Sequence, residues 1–354
     1  MEPIKFAVIG AGHIGKRHAE MILRNPDADL VAMCDIRSKE DCGVTFDVPF
    51  YHEGQQLIDA HPEVEVVCVC TPNGLHAPHS LLALNAGKHV VVEKPMALTK
   101  VECEQIVFTA LNKNKQVFGV MQNRYSPPSV WIKNVVERGL LGEIYMVQIN
   151  CFWNRDDRYY KKMHWKGSLG LDGGTLFTQF SHFVDIMYWL FGDITNIQAR
   201  FRDYNHAHST DFEDSGNVAF DFLNGGSGTL NFSTSVAHTN FESSMTIIAQ
   251  NGTVKIGGQY MNEVEYCNIA DYEMPELPEA NPANDYGHYK GSAANHVYVI
   301  DNAVNSLRGK TTITTNALEG LKVVEIIERM YQAAERPVKV RKEVSETQAS
   351  SKEA

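Results

Sequence analysis

Apolar positions fall into two regimes along the chain. Over the first third, short runs that are apolar throughout alternate with stretches of helical spacing. Residues 5–9 (KFAVI), 30–34, 64–70 (VEVVCVC), 89–92 and 116–121 read as strands, and residues 15–24, 53–60, 75–85 and 100–114 as the helices between them. Strands with no polar face are buried on both sides, which predicts a parallel sheet covered by helices. Beyond a helix over 129–138 the pattern changes to alternation with period two. It recurs at 144–153, 194–204, 215–222, 228–235, 243–249 and 253–256, with Gly225-Gly226 and Asn251-Gly252 as turns. That is the signature of an antiparallel sheet with one polar face. Helical spacing interrupts it at 176–191 and 294–308, and a last helix covers 317–334. The boundaries that follow are 1–122 for the first domain, 123–340 for the second and 341–354 for a polar tail.

Composition narrows the functional class. The 354 residues are 44% hydrophobic and 21% charged, as in a folded soluble chain, and the net charge of −11 disfavours nucleic acid or an anionic membrane as partner. Seven cysteines, an odd number set mostly in apolar runs, read as reduced buried thiols and hence as cytoplasmic. The N-terminus has no basic targeting region, and no apolar run reaches the roughly 20 residues of a membrane span.

Gly10-Ala11-Gly12-His13-Ile14-Gly15 fits G-x-G-x-x-G directly after a strand and before a helix. There the glycines allow a tight turn and close approach of a pyrophosphate to the helix N-terminus. Asp35 ends the next strand, twenty residues on, where a carboxylate accepts from ribose hydroxyls and repels a 2′-phosphate. NAD is therefore favoured over NADP, although Arg37 close by could host that phosphate. Two further loops, Cys70-Thr71-Pro72-Asn73-Gly74-Leu75-His76 and Glu93-Lys94-Pro95, follow strands at the same edge. A Glu-Lys pair at the end of a buried strand is costly unless it faces a ligand.

With GAGHIGKRH, CTPNGLHAPHS and EKPMA in this order and spacing, the chain resembles the Gfo/Idh/MocA family of nicotinamide-dependent sugar oxidoreductases. The resemblance spans roughly residues 4–340. It implies an α/β Rossmann domain followed by an α+β domain with an open, mostly antiparallel sheet, whose outer face often makes a homodimer or homotetramer. It implies a cofactor site of Gly10, Gly12, His13, Ile14, Gly15, Asp35, Arg37, Thr71, Asn73, His76, Glu93, Lys94, Gln122, Trp165 and Lys166. MQNRYSPP (121–128), the 151–192 segment and FEDSGNVAF (212–220) resemble the members that oxidise C3 of a UDP-linked N-acetylated hexuronic acid for surface polysaccharide. Some relatives of that group regenerate NAD with 2-oxoglutarate.

Oxidising a sugar alcohol needs a base for the hydroxyl proton and a donor to the developing carbonyl. Lys94 is the first candidate, because burial beside a pyridinium favours the neutral amine. His182 is the second, on a helix where Thr178, His182 and Asp185 recur at i, i+4, i+7 and share a face. The family usually has an Asp at the place of Thr178, and Lys166 stands where it has an arginine. An anionic sugar needs local cations, and Arg124, Arg155, Arg158 and Lys166 lie in the matching segments. Arg124 and Arg155 suit bidentate capture of carboxylate or phosphate. Gln122, Tyr160, Thr178 and Gln179 complete the expected substrate contacts, with Tyr159, Trp153 and Trp189 left to packing. No metal is expected: among fourteen histidines the densest cluster, His206-Ala207-His208, lacks further ligands. The alternatives are another sugar or polyol (UDP-GlcNAc, an inositol, an aldose) as substrate, or a non-catalytic NAD-bound sensor.

Overall fold

The computed structural model describes residues 2–161 and 163–339. Six strands form the first sheet: β1 (Ile4–Ile9), β2 (Ala28–Cys34), β3 (Phe50–Tyr51), β4 (Val66–Val69), β5 (His89–Val92) and β6 (Val117–Gly119). All pairings are parallel, in the order β3-β2-β1-β4-β5-β6. The order reverses between β1 and β4, and that reversal opens a crevice at the strands' carboxyl ends. Helices α1 (His13–Arg24), α2 (Gly54–Ala60), α3 (His76–Asn85) and α4 (Lys100–Asn112) connect the strands. Alternate residues of one strand enter different cores: Ala7 and Ile9 pack with Val67, Val69, Val90 and Val92, while Phe6 and Val8 pack with Val66, Cys68 and Val91. This two-sided burial is why the strands carry no polar face.

Helix α5 (Pro127–Glu137) opens with two prolines, which its first turn tolerates. After it come β7 (Ile144–Phe152), the one-turn α6 (Asp157–Tyr160) and α7 (Ser181–Phe191). Then follow β8 (Ile194–Asp203), β9 (Ser215–Phe222), β10 (Ser227–Ser233), β11 (Glu242–Ala249), β12 (Gly252–Gly257), β13 (Glu263–Ile269), the hairpin β14 (Ala283–Asp285) and β15 (Lys290–Ala293), α8 (His296–Leu307), α9 (Ala317–Ala333) and β16 (Ala334–Lys339). The second sheet runs β13-β12-β11-β7-β10-β9-β8-β16. It is antiparallel except for the pairs β7–β10 and β8–β16. Its inner face, including Val147, Ile149, Leu230, Phe232, Met245 and Ile247, shares one apolar cluster with Phe180, Phe183, Met187 and Ile327. Its outer face carries an asparagine ladder, Asn217 to Asn231 (2.8 Å) and Asn231 to Asn150 (3.0 Å). All seven cysteines are free, and burial pushes the Cys34 thiol up to about 12. Among the described residues no helix is long and apolar enough to cross a membrane.

Four differences from the pattern reading stand out. Two-residue β3 is too short to leave a periodic signal. Strands β13 to β16 are short or largely polar, and edge strands carry weak alternation. Helix α8, assigned to the second domain, packs Val299, Ile300, Ala303 and Val304 into the cluster of Phe6 and Val8, so the chain returns to the first sheet. The helix expected over 176–191 is broken into a π turn, Leu176–Phe180, and α7. The polar tail over 341–354 lies outside the described residues.

Candidate active site

At the end of β1, Gly10 adopts φ +96°, and a Cβ there would sit 2.5 Å from the Cys70 carbonyl oxygen. A Cβ at Gly15 would lie 1.8 Å from the Gly10 carbonyl oxygen, so both positions need glycine. Gly12 caps α1 with open space around it, and His13 and Ile14 form the first turn, which contains no acid. The free amides of that turn suit a phosphate. Asp35, at the end of β2, accepts from the Ala11 amide (2.9 Å) and from Arg37 Nε (3.0 Å) and Nη2 (3.1 Å). Burial pushes this carboxyl up, but the Arg37 and Ala11 bonds prevail and hold it below the usual range. Arg37 is thus tied to Asp35. Thr71 Oγ1 and Gln122 Oε1 are buried without protein partners. These orphaned atoms and the glycine cradle fit NAD, which when bound accepts a hydride at its nicotinamide ring.

Two loop residues expected at the cofactor are used elsewhere. His76 is buried with Nδ1 on the Pro95 carbonyl (2.6 Å) and Nε2 on the Thr71 carbonyl (2.8 Å), so it stitches the two loops together. Asn73 Nδ2 donates to the Asp172 carbonyl (2.8 Å) and to Thr178 Oγ1 (2.7 Å), joining the first domain to the second. Neither role was visible in the sequence, because Pro95, Asp172 and Thr178 lie on other segments.

Glu93 is buried between two imidazoles, 2.8 Å from His18 Nε2 and 3.5 Å from His296 Nε2. Burial would raise its pKa, yet the histidine bonds hold it well below the carboxylate range. Its other oxygen accepts the Lys94 backbone amide at 3.2 Å. His18, Glu93 and His296 are a group of metal-ligand composition that the sequence reading did not assemble. Their shortest link is a hydrogen bond, and the group acts as a clamp under Lys94.

Lys94 itself is half-buried, and its Nζ donates to the Thr178 carbonyl at 2.5 Å. Burial pulls its pKa down to about 8, with Arg155 adding to the fall while Glu93 and Asp172 oppose it. His182 is buried with Nδ1 unpartnered, and burial and then Lys94 drive it well below 6.5, so the imidazole is neutral. Thr178, His182 and Asp185 do not form one functional face. A π turn inserts an extra residue, about 100° of rotation, ahead of α7 and breaks the i, i+4 relation. Thr178 turns to Asp172 and Asn73, and Asp185 is taken by Arg124.

Arg124 is a correction to the expected anion site. Its Nε and Nη2 grip Asp185 at 2.9 and 2.7 Å, and Nη1 donates to Glu319 (2.7 Å) and the Thr314 carbonyl (2.9 Å). That guanidinium is a buried tie between the segment ahead of α5 and the helices α7 and α9, with no charge left to offer. Arg158 is also excluded, paired on the surface with Asp156 at 2.6 Å. Arg155 is different: it is buried with only neutral partners, namely Gln179 Oε1 (2.7 Å), the Asn154 carbonyl (2.6 Å), Asn240 Oδ1 (3.1 Å) and the Lys290 carbonyl (3.1 Å). The rings of Trp153, Tyr289 and Tyr159 surround it at 4.8, 4.9 and 5.2 Å. Burial lowers its pKa, as expected for an uncompensated cation.

Tyr159 and Tyr160 both belong to a satellite core with Phe212, their rings turned to different neighbours because adjacent residues on a helical turn point about 100° apart. Tyr160 packs against His206 and Phe212. Tyr159 accepts from Gln179 Nε2 (2.8 Å), and Lys166 Nζ lies 3.5 Å over its ring. Lys166 also contributes, after burial and Lys16, to lowering the His13 pKa, and Trp165 lies beside it. The tip of the β14–β15 hairpin, unseen in the sequence, closes this side: Tyr286 meets His13 and Arg17, and Tyr289 covers Arg155.

Residues 4–121 match the oxidoreductase family with an NAD-binding Rossmann fold, and residues 130–255 match the GFO/IDH/MocA C-terminal domain. Among solved structures, the WlbA dehydrogenase from Bordetella pertussis, in complex with NADH and UDP-GlcNAcA, is 28% identical, covers 96% of this chain and all of its own, and superposes with a TM-score of 0.82. The WlbA dehydrogenase from Chromobacterium violaceum, with the same ligands, gives 28% identity, 94% of each chain and 0.82. The D-glucoside 3-dehydrogenase of Escherichia coli is 26% identical over 96% of this chain and 97% of its own. With both domains matched and the glycine cradle built as NAD requires, the chain belongs to the Gfo/Idh/MocA family and is an NAD-dependent oxidoreductase.

Proposed function

We propose that this protein oxidises the C3 hydroxyl of a UDP-linked N-acetylated hexuronic acid, in the making of a surface-polysaccharide sugar. The observation that carries this reading is the local charge. Lys94 and Lys166 act on the buried carboxylate Asp172, and Lys94 also feels Arg155 and the buried Glu93, in a chain of net charge −11. A cleft that brings Arg155, which has only neutral hydrogen-bond partners, together with two lysines against that background suits a substrate bearing a carboxylate and a diphosphate. The UDP-GlcNAcA bound by both WlbA relatives has that chemistry. Lys94 accepts the hydroxyl proton as its neutral amine, and neutral His182 hydrogen-bonds the same oxygen as the carbonyl develops. Gln122 and Gln179 orient the sugar, and Arg155 supplies field from behind the Tyr289 ring. A cytoplasmic homodimer or homotetramer, using 2-oxoglutarate to regenerate NAD, belongs to the same reading.

A second reading, oxidation of a neutral sugar, draws on the glucoside-oxidising relative. Incubation with NAD and either UDP-GlcNAcA, UDP-GlcNAc, an inositol or a free aldose separates them. NADH formation, or 2-oxoglutarate consumption, is expected with the uronate at a kcat/KM at least about tenfold above the others. Preference for a neutral sugar overturns the substrate assignment, and NAD binding with no turnover of any sugar favours a sensor.

A further inference from the structure

Asp172 lies in the glycine-rich turn before the π turn and has no solvent exposure. Its Oδ2 accepts the Gly167 amide at 2.6 Å, and its Oδ1 is gripped by the Thr178 hydroxyl. Asn73 holds both ends of this link, through Thr178 Oγ1 and the Asp172 carbonyl. The Thr178 carbonyl in turn receives the Lys94 ammonium. We propose that Asp172 is a positioning residue for Lys94, holding a carboxylate in the turn and fixing, through the Thr178 hydroxyl, the carbonyl against which the amine rests.

The proposal rests on the reading of Lys94 as proton acceptor. Lys94 is faced by Glu93 from its own loop, Arg155 from the β7 end, Asp172 from the turn and His182 from α7. Glu93 is already clamped by His18 and His296. Arg155 favours the neutral amine, and Asp172 counters it. When Lys94 takes the hydroxyl proton, the ammonium forms within the field of Asp172, which stabilises that product state and makes the amine a stronger base. Burial pushes Asp172 itself up to about 6, so it is ionised where Lys94 works.

The test reads the amine directly, in protein without substrate. Acetic anhydride labelling of Lys94, followed by mass spectrometry across pH and referenced to exposed Lys113, gives its titration curve. Asp172→Asn is expected to move that curve down by about one pH unit, an increase of about fivefold in labelling at neutral pH. Asp172→Ser, which keeps an oxygen near the Gly167 amide, carries the same expectation should the first variant fail to fold. In turnover, the acid limb of kcat/KM moves down in parallel. A Lys94 curve in either folded variant that superimposes on the native one, or moves up, overturns the proposal. Native protein that turns over no sugar while the labelling still shifts leaves the positioning intact and removes only the catalytic reading.

Discussion

At the scale of the residue, the proposed chemistry depends on one amine with a displaced pKa. Burial holds Lys94 near 8 instead of its ordinary 10.5. With the neutral amine as the proposed base, kcat/KM is expected to rise with pH through about 8 and level off above it. Lys94→Ala should lose at least about a thousandfold in kcat, while NAD affinity, measured by fluorescence titration, stays within about threefold. Arg155 carries a separate prediction. Arg155→Met removes the uncompensated charge, and KM for UDP-GlcNAcA should rise about tenfold more than KM for neutral UDP-GlcNAc. Comparing two substrates on one variant removes any general loss of folded protein. Equal changes in both KM values would show that the Arg155 field does not reach the sugar.

At the scale of the element, the helices are locked by polar ties that helical periodicity hides. Arg124 joins Asp185 of α7 to Glu319 of α9, with both Arg124 and Asp185 essentially without exposure. Glu319 also closes the capping box that starts α9, so one carboxylate sets both the helix start and the tie. Asp185→Leu strips a buried guanidinium of its bidentate partner and leaves it only Glu319 and the Thr314 carbonyl. A loss of about 3 kcal/mol is expected from urea unfolding, and Arg124→Met in the same chain should recover part of it. The same ties explain why the sequence misled. Arg124 looks like an anion ligand when its partners, far along the chain, are unseen. The π turn ahead of α7 likewise has no signature in a pattern of apolar residues, yet it decides which way Thr178 points.

At the scale of the whole molecule, the two sheets share one continuous apolar cluster, and the candidate active site lies on their seam. Buried acids mark that seam. Glu213 accepts from the Tyr331 hydroxyl (2.6 Å) and the Thr175 amide (3.1 Å), both at the same oxygen, and burial pushes it up to about 7. A carboxyl whose folded pKa lies above its unfolded value adds stability below the unfolded value and loses it as pH rises through the folded one. The window for Glu213 therefore runs from its ordinary 4.5 up to about 7, and Asp172 acts with the same sign up to about 6. Glu213→Gln keeps an oxygen for both donors and removes the charge. Its melting temperature should exceed the native one at alkaline pH, by the equivalent of about 1–3 kcal/mol, and the gap should close in mild acid. A gap independent of pH would mean that Glu213 is already neutral throughout.

The sequence by itself determined the parts whose physics is local. Apolar runs set the parallel strands, alternation set the antiparallel ones, and Gly10, Gly12, Gly15 and Asp35 defined a dinucleotide turn, because strand burial and backbone sterics act within a few residues. Lys94 was legible for the same reason, as a charge at the end of a buried strand. Only the tertiary structure decided which charges are free and which are consumed. It paired Arg124, left Arg155 without a counter-ion, set Asp172 beside Lys94 and returned α8 to the first sheet. Those outcomes depend on partners up to about three hundred residues apart, and packing, electrostatics and hydrogen bonding act through space with no regard for separation along the chain.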